Sequence, residues 1–374
     1  MKTTDAISPD HINNFDFLRL LFATLVLVTH SYVLAGLPEQ DTLWHFSHGQ
    51  LLLSKLGVRG FFVISGFLIL KSLMRSRSIT EYCFKRIIRV FPALWIMVGI
   101  TLVGGYFFSS KSVGAYFTDH SVPLYLLNLV LRLHISINGV FPNNPDPYEV
   151  NGSLWTVPYE VFFYLLLTPL FFIRHRLYVV RGLVLAGFMG LLVLHYTGQV
   201  FYSTYKLSLY SDQLIFLGLH FMAGALLALF PAVLRQARVR TILVWTTGLG
   251  LVAVLYFGGF YQTQFLLVPV FVLALGTSSY PWLNWLHRYG DISYGVYIWG
   301  WPVQQALVHG LHPSQPVLAL LSIPTVWALG WASWHLVEKQ ALRLKLDIVA
   351  PAAATTRVVA SDFTRLRQAV VKQA

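Results

Sequence analysis

The segment FDFLRLLFATLVLVTH, residues 15–30, sets an arginine and a histidine inside one apolar run. Arg19 and His30 are eleven residues apart, and at ~100° per residue a helix returns them to nearly the same face, about 16.5 Å apart along its axis. Charge inside an apolar span is costly and by default marks function. An imidazole titrates near neutral pH and serves as a general base or acid. The competing reading has Arg19 snorkelling to the lipid surface and His30 hydrogen-bonded between helices. Further along, KRIIRVFP sets Arg86 and Arg89 three residues apart, on one helix face. Two guanidiniums so placed suit a phosphate, although a plain basic anchor reads the same way.

The run NGSLWTVPYEVFFYLL carries Ser153, Thr156 and Glu160 at i, i+3 and i+7, again on one face. A carboxylate two turns into a span needs a partner or a proton. His30, at similar depth, is the expected partner, and such a pair orients an imidazole and raises its basicity. A structural Glu–Arg or Glu–His bridge is the alternative. GVRGFFVISGFLI places Arg59 between Gly57 and Gly60, either at an outer vestibule or snorkelling, and its glycines suit close helix packing. RYGDISYGVYIWGWPV supplies Asp291 as a helix cap. Its Tyr297, Trp299 and Trp301 line either a sugar-sized cavity or an aromatic belt, and a belt is the ordinary place for the tryptophans.

The elements that position these groups are membrane helices. The chain has 374 residues, 56% of them hydrophobic and only 11% charged, with a mean hydropathy of +0.62. Soluble domains carry roughly 25% charge, and about twenty apolar residues cross a bilayer. Composition therefore excludes a water-soluble enzyme, a disordered chain and a β-barrel, and the single Cys83 permits no internal disulfide. The first apolar run is long for a cleaved leader and carries groups that a discarded peptide does not need. Ten spans are expected, at 15–36, 57–74, 87–108, 153–173, 179–197, 212–230, 241–258, 262–279, 290–310 and 317–337. Basic residues gather in alternate loops: Arg75, Arg77, Lys85 and Arg86; then Arg174, Arg176 and Arg181; then Arg235, Arg238 and Arg240; then the tail. The net charge of +12 is thus read as a positive-inside bias rather than a nucleic-acid footprint, with both termini cytoplasmic. Residues 121–133 are too short to cross and are expected to lie at the outer interface. The fold class is all-α and polytopic, with residues 1–346 as one transmembrane domain and 347–374 as a cytoplasmic tail. No HExxH, P-loop or GxSxG motif is present, so neither a metal nor nucleotide hydrolysis nor a serine triad is expected.

Four segments together resemble the acyltransferase-3 family of integral membrane acyltransferases. Arg19 and His30 match its Arg, ten residues, His signature; GVRGFFVISGFLI resembles its Phe/Gly-rich second helix; Arg86 and Arg89 match its Arg-x-x-Arg motif; and Ser153, Trp155 and Glu160 match its Ser-Leu-Trp-Thr…Glu motif. Phe17, where many members have Gly, and the Gly57–Gly60 stretch depart from the pattern. The resemblance implies transfer of an acyl group, usually acetyl, from cytoplasmic acetyl-CoA to a hydroxyl of a cell-surface or lipid-linked glycan, in the bacterial inner membrane. On that reading Arg19, Arg86 and Arg89 hold the donor, and His30, oriented by Glu160, acts as general base or forms an acyl-histidine. Ser153, Trp155 and Arg59 stabilise the oxyanion or bind the sugar. A secondary transporter or flippase for a sugar or organic anion is the alternative. It would also use intramembrane charge, but it is expected to show internal repeats or broken helices, and no convincing repeat is present.

Overall fold

The computed structural model describes residues 13–198, 208–283, 286 and 289–343. The expected tail at 347–374 lies outside them. The described chain is mostly helix, with only two isolated bridges, Ser109 with Val140 and Ser136 with Glu149, among the described residues. Ten principal helices follow in order. They are α1 (Phe15–Leu34), α2 (Leu53–Arg75), α3 (Ile79–Gly105), α4 (Val157–Leu167), α5 (Leu177–Thr197), α6 (Ser211–Ala228), α7 (Ala237–Phe257), α8 (Phe260–Gly276), α9 (Ser293–Leu311) and α10 (Gln315–Ser333).

Among the described residues, eight helical stretches are long and apolar enough to cross a bilayer. Two of the ten expected spans fall short. The helix at 262–279 is Phe260–Gly276, only 17 residues long. The helix at 290–310 is Ser293–Leu311, 19 residues long, whose Tyr294, Tyr297, Gln304, Gln305 and His309 dilute its apolar character. Both pack inside the bundle: Gln304 is buried and donates to Leu27 O (3.0 Å) and to Ser322 Oγ (3.1 Å), tying α9 to α1 and α10. Residues 121–133 form two short turns, Ser121–Tyr125 and Leu126–Val130, as their length requires.

The core is built around α2, the most buried span, with 72% of its apolar window inside the protein. Its neighbour α6 crosses it backbone to backbone. A β-carbon on Gly66 would lie 1.9 Å from Phe221 O, and one on Gly224 would lie 2.1 Å from Val63 O. Small residues at a membrane helix crossing allow van der Waals contact where lipid supplies no hydrophobic drive. By contrast α5 and α7 have only 11% of their windows buried. Their exposed faces, with Leu183, Met189, Trp245, Leu249 and Val252, form the apolar exterior that lipid covers.

The stretch that opens the fourth span is a tight 3₁₀ turn, Gly152–Thr156, before α4 begins with Val157-Pro158. Proline is tolerated there because the first amides of a helix have no intrahelical acceptor. The Asn151 side chain caps this turn by accepting from Ser153 N (3.1 Å) and donates to Ile298 O on α9 (2.8 Å). Thr156 and Tyr297 then share a hydrogen bond (2.8 Å). The Ser-Leu-Trp-Thr segment is thereby fixed against α9.

Candidate active site

A cavity of about 300 Å³ lies between α1, α2, α3, α4 and α9. It begins among Lys85, Arg86 and Leu342, at the end of the bundle that carries the basic loop 75–86, and runs inward to Thr156 and Tyr297. Arg19, Lys85, Arg86 and Arg89 line it, against Glu160 as the one carboxylate in its wall among the described residues. The structure therefore brings four of the expected residues, Arg19, Arg86, Arg89 and Glu160, to one place.

The two arginines of the Arg-x-x-Arg motif do different things there. Arg89 donates from Nη2 to Asp291 Oδ2 (2.5 Å) and from Nη1 to Glu338 Oε2 (3.0 Å). Arg19 Nη1 donates to the same Asp291 oxygen (2.7 Å). Asp291 Oδ1 accepts from Ser293 Oγ (2.5 Å), and Glu338 Oε1 accepts from Ser333 Oγ (3.1 Å). Two cations and two carboxylates thus neutralise each other across α1, α3, α9 and the end of the tenth span. Arg86 has no carboxylate within salt-bridge distance: its Nε is buried without a partner, and its Nη2 reaches only Ser72 Oγ at 3.4 Å. Its guanidinium lies over the rings of Tyr82 and Tyr164, about 6 Å from each. The expected matched pair of phosphate-binding arginines is therefore replaced by one structural arginine and one available one.

The sequence presents Asp291 as a cap, but Ile292 takes the N-cap position of α9 without a side-chain cap bond, and Asp291 serves the ion-pair cluster instead; the sequence reading does not reach Glu338. Glu338 enters through a π turn, Trp334–Glu338, that continues α10. Such turns are rare and concentrate at functional positions. A carboxylate four residues after Trp334 in an apolar run, WHLVE, was the available signal.

Glu160 does not meet His30. Its Oε1 accepts from Ser65 Oγ (3.1 Å) and from the Tyr164 hydroxyl one turn on, which holds the carboxylate in the wall of the basic cavity. The expected orienting pair is thus corrected: equal depth did not mean a shared face, because α4 begins only at Val157 and turns Glu160 toward α2.

His30 stands further from the basic end. Its ring meets the indole of Trp301 edge to face, with centroids 4.8 Å apart. Trp301 is buried, so it is not part of an aromatic belt, and it sits one turn beyond Tyr297, which closes the inner end of the basic cavity. The buried polar atoms in this region with no hydrogen-bond partner among the described residues include His30 Nδ1, Trp301 Nε1 and Ser153 Oγ. Unsatisfied buried polar atoms are expensive, and a native protein keeps few of them. Gly152 lies between Trp301 and Glu149, since a β-carbon there would be 3.0 Å from the indole and 3.0 Å from Glu149 Oε2. Burial, reinforced by Asp146, pushes the Glu149 carboxyl up to about 7.

The segment beyond α1 is clamped to Thr29 by Asp41. This buried carboxylate accepts from Thr29 Oγ1 (2.6 Å) and Leu53 N (2.8 Å), and caps the short helix Thr42–Phe46. Ser54 N donates to Thr29 Oγ1 (2.9 Å). Thr29 and Ser54 precede His30 and Lys55 in the chain, so this bond fixes the start of α2 against the outer turn of α1. Arg59 faces away from both groups. Its guanidinium lies between the rings of Phe216 and Phe260, at 4.9 and 5.0 Å, and lines neither the basic cavity nor the Lys55 region. Val58 and Phe61 take the cavity side of α2 instead.

The profile of an acyltransferase domain matches residues 12–335. The chain is 31% identical over 354 residues to an O-acetyl transferase of Shigella phage Sf6, covering 90% of this chain and 99% of the relative. It is 28% identical over 374 residues to Nodulation protein 10 of Rhizobium leguminosarum bv. viciae, covering 94% and 98%. Peptidoglycan O-acetyltransferase OatA of Listeria monocytogenes is 24% identical over 390 residues, which cover 90% of this chain and 57% of that protein. No solved structure matches significantly. These matches displace the transporter reading. The chain belongs to the acyltransferase-3 family and is a multi-pass membrane O-acetyltransferase.

Proposed function

We propose that this enzyme moves an acetyl group from cytoplasmic acetyl-CoA to a hydroxyl of a cell-envelope glycan, and that His30 is the base. The observation that carries this reading is the pairing of a cationic cavity at one end of the bundle with a half-buried imidazole that has an unpartnered buried Nδ1 and packs on Trp301, one turn along α9 from the cavity residue Tyr297.

The positive-inside rule puts the basic end, with loop 75–86 and both chain termini, in the cytoplasm. Acetyl-CoA is made there and carries several phosphates. A cavity of about 300 Å³ is at the low end for ligand pockets. It accommodates an extended thioester arm, with the nucleotide left at the mouth against Lys85 and Arg86. Arg19 and Arg89, locked by Asp291 and Glu338, are rigid walls of that passage, and Arg86 supplies the free charge. The arm points at Tyr297 and, one turn further, at Trp301 and His30.

In the transfer itself the acceptor hydroxyl gives its proton to His30. Its oxygen attacks the thioester carbonyl, the C–S bond breaks, and the imidazolium returns the proton to the departing CoA thiolate. The products are an O-acetyl ester and free CoA. The Ser153 hydroxyl and the Trp301 indole N–H, both without partners, are the donors available to the tetrahedral oxyanion. Glu160, fixed by Ser65 and Tyr164, shapes the donor passage and does not orient the base. The relatives point to a glycan acceptor, since one is named for action on peptidoglycan. The bacterial inner membrane suits both substrates. Purified protein given labelled acetyl-CoA tests the reading: slow release of CoA without acceptor is expected from wild type, and a complete lack of turnover with any envelope glycan would refute it.

A further inference from the structure

A second cavity, of about 270 Å³, lies at the start of α2, the end opposite the basic loop 75–86. Lys55, Trp155, Tyr159, Ser208, Tyr210 and Gln213 line it. Lys55 has no salt-bridge partner among the described residues, and its ammonium lies 5.9 Å from the centre of the Trp155 ring. The Ser54–Thr29 bond ties the start of α2, which carries this lysine, to the turn of α1 that carries His30. The bias of the chain makes the lysine conspicuous: the loop 37–56 carries no other Lys or Arg. A positive charge kept at that position is useful where an anion comes to meet it.

The remaining walls suit a sugar ring. Trp155 and Tyr210 are partly exposed aromatic faces, and amphipathic rings of this kind bind ligands that are apolar on one face and polar at the rim. The Gln213 amide and the Ser208 hydroxyl add directional groups, as ligand pockets typically require.

We infer that this outer cavity is the acceptor site and that Lys55 selects a sugar carrying an anionic substituent. The inference rests on the transferase reading above and deepens it by naming the acceptor class. A charge-assisted hydrogen bond to such a group is worth enough to favour it about tenfold over a neutral sugar.

The test uses three probes that differ only at C6: methyl glucuronide, methyl glucoside 6-phosphate and methyl glucoside. Each is titrated onto the full-length protein in lipid nanodiscs, with binding read by saturation-transfer NMR. Wild type is expected to bind at least one anionic probe about tenfold more tightly than the neutral one, and the stronger of the two identifies the anion as carboxylate or phosphate. Lys55→Gln is expected to erase the preference, and Lys55→Arg to keep it. Equal binding of all three probes, binding of none, or a preference that survives in Lys55→Gln overturns the inference. Acetyl-CoA hydrolysis is measured on the same wild-type sample. If the donor is turned over while no anion preference appears, only the acceptor assignment falls; if the donor is not turned over, the transferase reading falls with it.

Discussion

The His30 imidazole and the Trp301 indole meet edge to face at 4.8 Å, and each presents a buried nitrogen with no partner. The contact joins the two ends of the proposed reaction path. Trp301 shares a helix face with Tyr297 at the inner end of the donor cavity, and His30 is coupled through Thr29 and Ser54 to Lys55 in the acceptor cavity. Trp301→Phe keeps the ring contact and removes the N–H. It is expected to lower kcat by about 10²-fold, the ordinary cost of one oxyanion donor, with little change in the KM for acetyl-CoA. A change confined to KM would place the indole in donor binding instead.

Arg86 and Arg89 are three residues apart, yet their replacements are expected to fail differently. Arg89→Ala leaves Asp291 and Glu338 facing each other without their shared cation. Removing one partner of a buried pair costs about 3–5 kcal/mol, so a marked fall in thermal midpoint is expected. Arg86→Ala breaks no ion pair and is expected to keep its midpoint while raising the KM for acetyl-CoA. Thermal unfolding in detergent beside steady-state kinetics separates the two, and equal loss of stability in both variants would contradict the division of roles.

Gly66→Ala and Gly224→Ala each insert a methyl where a backbone oxygen lies about 2 Å away. Neither oxygen belongs to a flexible side chain, so α2 and α6 must separate. Overpacking of this kind typically costs ~1–3 kcal/mol, and a lowered midpoint is expected from each variant. An unchanged midpoint in both would mean that the crossing is looser than described.

The Glu149 carboxyl titrates near 7 in the folded protein, raised first by burial and then by Asp146. Its ordinary value is 4.5. The folded state therefore holds a proton that the unfolded chain has released between those values, so its contribution to stability is full below about 4.5 and is lost as pH rises through about 7. Glu149→Gln is expected to flatten the fall in thermal midpoint between pH 5 and pH 8 (roughly the titration window). A wild-type profile already flat in that range would remove Glu149 as its source.

Much of this was legible in the chain because membrane helices declare themselves by length, and because charge in such helices is too costly to be incidental. The basic end, the first-span Arg19 and His30, and the meeting of Arg19 with Arg86 and Arg89 follow from those rules. Helical phase across different helices does not. Whether Glu160 turns to His30 or to Ser65 depends on where the 3₁₀ turn Gly152–Thr156 ends, and residue spacing within one span carries no information about that. The same limit hid Arg59, whose aromatic neighbours Phe216 and Phe260 come from α6 and α8. Glu338 was hidden because only a π turn brings it to Arg89. The helix Ser293–Leu311 appeared as an ordinary span, although its glutamines make it an internal element.

The most direct measurement is the rate of acetyl transfer from labelled acetyl-CoA by purified His30→Ala, compared with wild type at equal amounts of folded protein. Loss of a general base predicts a fall of about 10²–10⁴-fold with an unaltered thermal midpoint and unaltered donor binding. Transfer at the wild-type rate by a folded His30→Ala enzyme would contradict the assignment of the imidazole and, with it, the route from one cavity to the other.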